Sequence, residues 1–217
     1  MFQKSTLDFL KKLKRNNNRE WFNSNKLLYL DAKYDFEIFI ARLIERISEF
    51  DGTVSGLLPK DCMFRIYKDV RFSKDKSPYK TNFGASINRG GRKMNTAGYY
   101  FHIEPGECML AGGRYMPSPE DLLKIRNRIA ANYKEYSRII SNKDYKKYFG
   151  GVWGDKLKTA PKGFPKDHPA IEHLKLKSFI AYRSIPDEKA LSKNILDYSE
   201  KVFRAMKPFL DFLRAAE

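Results

Sequence analysis

Apolar residues recur at three- and four-residue steps toward both ends of the chain and at alternate positions in its middle. Leu27, Leu30, Tyr34, Ile38, Ala41, Ile44 and Ile47, with charged residues between them, predict one long helix from about Lys26 to Phe50 with that stripe buried. Asp51-Gly52 ends it. Ahead of it, Ser5 is placed to cap a short helix carrying Phe9, Leu10 and Leu13, which the turn-forming run Asn16-Asn17-Asn18 stops. Glu20-Trp21-Phe22 reads as a short turn packing back.

The period then changes from helical to two. Met63 to Tyr67 reads as a first short strand. Phe83, Ala85 and Ile87 alternate with Gly84, Ser86 and Asn88, and Tyr99, Phe101 and Ile103 with Tyr100, His102 and Glu104. Arg89-Gly90-Gly91-Arg92 closes a hairpin between those two strands. In Glu104-Pro105-Gly106-Glu107, proline pre-sets the second turn position and glycine supplies the positive φ of a type II turn. A strand from Cys108 to Gly112 therefore pairs back on its predecessor.

Helical spacing returns at Ser118-Pro119-Glu120-Asp121, where a capping serine precedes proline and acid in the first turn. Leu122, Ile125, Ile129 and Tyr133 form its stripe, and Tyr136 to Phe149 continues as broken helix. Gly150 to Pro169 is too rich in Gly, Pro and Lys for regular structure. Phe179 to Tyr182 reads as a last strand, followed by a helix with Leu191, Ile195, Tyr198, Val202 and Met206 on one face that Pro208 kinks or restarts. The expected fold is α+β, an antiparallel sheet of about four to six strands packed against several helices. It forms one domain over residues 1–217, with a helical part at 5–50, the sheet at 62–113 and a second helical part at 119–213.

Composition narrows the class of protein. At 42% apolar residues, 217 positions bury an ordinary core, which excludes global disorder. No run approaches the roughly 18 apolar residues that span a bilayer, and Met1-Phe2-Gln3-Lys4-Ser5 leads into an amphipathic pattern rather than a signal peptide. Cys62 and Cys108 stand far apart in apolar company, so no disulfide framework is expected and the expected setting is cytoplasmic, with no membrane partner.

The net charge of +16 changes the picture because it is concentrated. Residues 60–93 hold ten Lys/Arg and three Asp, or +7, and residues 143–177 hold nine Lys/Arg and four Asp/Glu, or +5. Between Arg65 and Lys80 six cations alternate with aromatics and two aspartates, more than a polar connection needs. Arg65, Lys68, Arg71, Lys74, Lys76, Tyr79 and Lys80 are the expected anion-binding residues: Arg offers a planar fork, Lys a point charge and Tyr a hydroxyl or a stacking face. Asp69 and Asp75 would orient the cations, and His102, Arg114 and Arg126 would support them from the sheet and the following helix. The alternative is a set of salt bridges pinning the loop, with Phe72 and Tyr79 as its anchors.

The elements Asn17 to Phe22, Lys68 to Lys80, Tyr100 to Gly106 and the Leu157 to Lys177 passage together make the chain resemble the family called domain of unknown function 2461. The central motif of that family reads Arg-Asp-x-Arg-Phe-Ser-x-Asp-Lys-x-Pro-Tyr-Lys, and Lys68 stands where it has its first Arg. The resemblance covers nearly the whole chain. It implies the boundaries of the fold and the importance of the loop, and it implies no reaction.

Familiar chemistry is missing from the sequence. There is no phosphate-loop or dinucleotide-binding glycine pattern, and His102, His168, His173 and two isolated cysteines make no metal-ligand pair, so neither cofactor nor metal is expected. Three readings follow. The loop holds a small molecule bearing phosphate or carboxylate, or the segments 60–93 and 143–177 form a nucleic-acid-binding module, or the chain is an interaction domain for an acidic protein. The first requires the loop cations to converge in one concavity beside Tyr79. The second requires a broad exposed stripe joining the two basic segments.

Overall fold

A computed structural model describes residues 2–71 and 73–216. Its helices are α1 (Lys4–Arg15), α2 (Arg19–Ser24), α3 (Lys26–Ser48), α4 (Pro59–Cys62), α5 (Pro119–Ala131), α6 (Tyr133–Ser141), α7 (Lys143–Phe149), α8 (Ile171–Leu174), α9 (Asp187–Ala190) and α10 (Ile195–Arg214). Four strands, β1 (Phe83–Ile87), β2 (Gly98–Ile103), β3 (Met109–Arg114) and β4 (Phe179–Ser184), form one antiparallel sheet in sequence order. The α+β class is as expected, with the strand number at the low end. The last strand joins this sheet from beyond residue 113, so the sheet reaches into the part expected to be helical. No helix among the described residues is long and apolar enough to cross a membrane.

Alternation in β2 decides which face of the sheet is dry. Tyr99, Phe101 and Ile103 are fully buried. Phe101 lies 4.7 Å from the Phe39 ring of α3 and Tyr99 lies 5.0 Å from the Phe203 ring of α10. Phe36 of α3 stacks on Phe83 of β1 at 5.4 Å, so α3 and α10 together cover one sheet face. The opposite face carries the exposed Tyr182 and the half-buried Ser86, Tyr100, Met109 and Ile180, with α4 meeting the edge strand β1 and α7 the edge strand β4.

The turn signals hold where expected. Glu107 N bonds Glu104 O with Gly106 at φ +81, and the Ser118 hydroxyl accepts from Asp121 N with Pro119 in the first turn of α5. Two local expectations are corrected. α1 begins at Lys4 behind Gln3, and Ser5 lies inside it. The first turn is tied instead by Asp35, which accepts from Gln3 N and Thr6 Oγ1. Residues 63–67 make no strand: Met63 bridges Ala85 and Tyr67 bridges Tyr79, so the segment changes partner midway and builds no ladder. α10 runs through Pro208 as one helix.

The largest correction concerns α3. Its buried residues are Ala32, Phe36, Phe39, Ile40, Leu43, Ile44 and Ile47, whereas Leu27, Leu30, Tyr34 and Ile38 are exposed. The helix is apolar on two sides. The stripe carrying the phenylalanines lies on the sheet because it removes more area from water.

Candidate functional site

The 63–82 segment hangs from the edge of β1. Phe64 N donates to Gly84 O, Lys80 N to Ile66 O and Lys68 N to Pro78 O. Proline has no N–H to return, which weakens pairing at that point. Tyr79 points inward: it is buried and stacks on Phe22 of α2 at 4.0 Å. The Asn17 amide donates to Tyr79 O and accepts from Tyr79 N. The 17–22 element and the loop are therefore one structural unit, with Tyr79 as its anchor. Phe72, the other expected anchor, lies outside the described residues. Asn17→Ala is expected to lower stability by about 1–3 kcal/mol, since both main-chain groups of Tyr79 lose their partner. Urea denaturation of the two proteins measures it.

The outer part of the loop pairs with itself. Lys68 Nζ sits 2.7 Å from Asp75 Oδ2 and 2.7 Å from Ser77 Oγ. Those bonds, led by Lys68, hold the Asp75 carboxyl well below the usual carboxylate range. Arg71 grips Asp69 with two parallel bonds of 2.9 and 2.7 Å, and the Arg71 bonds pull the Asp69 carboxyl below its ordinary value. Lys76 Nζ donates to Val70 O, and Lys74 stands exposed. Lys68, Arg71 and Lys76 are thus engaged by groups of the loop itself, while the Tyr79 ring is turned into the core. Two shallow hollows lie elsewhere, one between α3 and residues 55–59 and one beside the α5–α6 junction.

Arg114 and Arg126 also stand apart from the loop. Arg114 is buried at the far end of β3, paired with Asp121, about five residues and so roughly 17 Å along the strand from Met109, which faces His102. Arg126 ties down the chain after α8 by donating to Leu174 O and Leu176 O, and its burial lowers its pKa.

What the fold does bring together lies on the uncovered sheet face. Register sets its rows: Gly84, His102, Met109 and Ser184; then Ser86, Tyr100, Ala111 and Tyr182; then Gly98, Gly113 and Ile180, with Trp153 bridged beyond Ile180. Phe64 borders the first two rows, its ring edge-on to Tyr100 at 6.3 Å. Phe64, Tyr182 and Trp153 are 39, 38 and 56% exposed, large for aromatic side chains on a shared surface.

A hydrogen-bonded chain runs through the first rows. His102 Nε2 lies 3.2 Å from Glu104 Oε2, and its Nδ1 lies 3.0 Å from the Tyr100 hydroxyl and 3.3 Å from Asn82 Nδ2. A carboxylate only accepts, so Nε2 carries the proton and Nδ1 receives the Tyr100 hydroxyl. Thr81 Oγ1 donates to the other Glu104 oxygen at 2.6 Å. Burial pushes the His102 pKa down against the pull of Glu104, so the ring is neutral at pH 7. Burial, with Glu104 adding to it, pushes Tyr100 up to about 12, so its hydroxyl keeps its proton.

Beside this chain stand Arg65 and Lys80. Burial and then the Arg65 charge lower the Lys80 pKa, and Lys80 Nζ rests 5.3 Å from the Phe64 ring centre. No carboxylate among the described residues lies within ion-pair distance of either cation. The base of the loop thus carries two adjacent unneutralised charges, whereas most of the cations at its tip are already satisfied. At the opposite corner, residues 153–157 run along 175–180, held by Trp153 N to Ile180 O and Lys177 N to Asp155 O. Lys156 and Lys175 share Glu172, while Lys158, Lys162, Lys166 and Lys177 are exposed without a described carboxylate partner.

Alternation in β2 already placed Tyr100, His102 and Glu104 on one side. The aromatic row across the sheet was missed, because Phe64, Tyr182 and Trp153 come from three distant segments. The model of a family described as conserved hypothetical protein (DUF2461) matches residues 5–212. No curated protein and no solved structure matches the chain.

Proposed function

The chain belongs to the DUF2461 family, and we propose that its uncovered sheet face binds single-stranded nucleic acid in a cytoplasmic setting. One observation supports the reading: Phe64 and Trp153, one from each basic segment, flank this face at opposite edges, with Tyr100 and Tyr182 between them. Arg65 and Lys80 stand beside Phe64, and Lys156 and Lys177 lie on the paired segments that continue from Trp153 and Ile180. Five strand spacings separate Phe64 from Trp153, roughly 24 Å, which is room for about the four nucleotides that the shortest such platforms hold. Bases stack on exposed aromatic faces whatever their sequence, and lysines neutralise the backbone. A duplex hides its base faces and gains nothing from the aromatics.

Anisotropy of a labelled eight-nucleotide single strand tests this. Binding is expected to weaken steeply between 50 and 200 mM salt. Tyr182→Ala and Trp153→Ala should each weaken it by roughly five- to 150-fold, corresponding to about 1–3 kcal/mol for a stacked base. Lys74→Ala, at the loop tip, should have little effect. A duplex that binds as well as the single strand, or two aromatic variants that bind as the parent does, would sink the reading.

A second reading rests on the Arg65–Lys80 corner alone: a small molecule bearing phosphate or carboxylate held by these two cations beside Tyr100. In the same titrations it shows as displacement of the oligonucleotide by inorganic phosphate, with the aromatic variants unaffected.

A further inference from the structure

α3 keeps a second apolar face that the fold does not cover. Leu27, Leu30, Tyr34 and Ile38 recur at three- and four-residue steps and are 75, 46, 66 and 38% exposed. They lie opposite Phe36 and Phe39, so this face points away from the sheet. The stripe runs on into a shallow hollow of about 450 Å³ lined by Ala41, Ile44, Leu57 and Leu58 among others.

We propose that two copies of this chain associate through this face, α3 against α3 and antiparallel, about a two-fold axis at Tyr34. Charge selects the occupant. α3 holds four Lys/Arg and four Asp/Glu and is neutral, whereas the chain carries +16. Two copies repel through their basic segments, and α3 is where they approach without that penalty. An acidic partner would be drawn to those segments instead.

Shape agrees with this choice. Leu27 and Ala41 are each seven residues from Tyr34, about 10.5 Å along the helix. A two-fold axis at Tyr34 therefore sets the protruding Leu27 of one copy over the hollow beside Ala41 of the other, twice. That is the self-complementarity an isologous interface requires. The 23-residue helix offers about 35 Å of contact length. Both uncovered sheet faces stay free in the pair, so the inference does not rest on the nucleic-acid reading.

Sedimentation equilibrium of the full chain at tens of micromolar is expected to give twice 25.4 kDa. Leu27→Glu and Tyr34→Glu should each raise the dissociation constant at least a hundredfold while leaving the thermal midpoint of the monomer unchanged. Under mild oxidation Tyr34→Cys should cross-link to its own copy, and Leu123→Cys, exposed on α5, should not. A monomeric parent at 100 micromolar overturns the proposal. So does a dimer indifferent to both glutamates, or a Tyr34→Cys variant that cross-links no better than Leu123→Cys.

Discussion

Asp51→Ala is expected to cost the fold about 3–5 kcal/mol, read as a shift of the urea midpoint at pH 7. Asp51 follows the C-terminal end of α3 and is 2% exposed. Its Oδ2 accepts from Tyr99 Oη at 2.8 Å and Arg214 Nη1 at 2.7 Å, and its Oδ1 accepts from Thr53 N and Oγ1. One carboxylate thus joins the ends of α3 and α10 to the interior strand β2. Alanine leaves the largely buried Arg214 guanidinium with only the longer 3.4 Å contact to Asp211 Oδ1, and Tyr99 without an acceptor. Asn keeps the shape and loses the charge, so Asp51→Asn should fall between.

The pH dependence gives the same residue a second signature. Burial pushes the Asp51 carboxyl upward, but bonds from Thr53, Arg214 and Tyr99 outweigh it and hold the carboxyl at about 2. A folded-state value below the unfolded one adds stability that is complete above the ordinary carboxylate range and lost as pH falls through about 2. That increment is about 2 kcal/mol. The gap between the parent and Asp51→Ala should narrow by that amount from pH 6 down to pH 2. A gap that stays constant would mean that the Asp51 carboxyl titrates alike in the folded and unfolded chain, and one that widens toward pH 2 would mean that it is protonated in the fold.

Much of the architecture was legible because local chemistry and global packing agree in it. Alternation in β2, the Pro105-Gly106 turn and the Ser118-Pro119 cap each have one structural solution. α3 does not: two apolar stripes share the helical period, and only the sheet decides between them. The loop was legible as unusual but not as to its pairing. Arg71 with Asp69, and Lys68 with Asp75, show that a high cation count between Arg65 and Lys80 is compatible with local neutralisation at the tip. Arg65 and Lys80 differ from their neighbours only through what the fold places beside them. The same holds for Trp153, which reaches the sheet face only through its bridge to Ile180.

Gly113→Ala should lower stability by about 3 kcal/mol or more, or prevent folding. Gly113 has φ +134, where an L side chain is strained, and an added Cβ would fall 1.9 Å from the Phe179 carbonyl oxygen. That oxygen belongs to the neighbouring strand, so relief requires β4 to move. Gly151→Ala, with open space around it, should leave stability within about 0.5 kcal/mol. The consequence reaches the proposed interface, because β4 carries Tyr182 and, through Ile180, positions Trp153. Any Gly113→Ala protein that remains folded should therefore bind the single strand at least tenfold more weakly at a temperature well below its midpoint. Unchanged binding by such a folded variant would place the ligand away from the β3–β4 half of the face and return the choice to the Arg65–Lys80 corner alone.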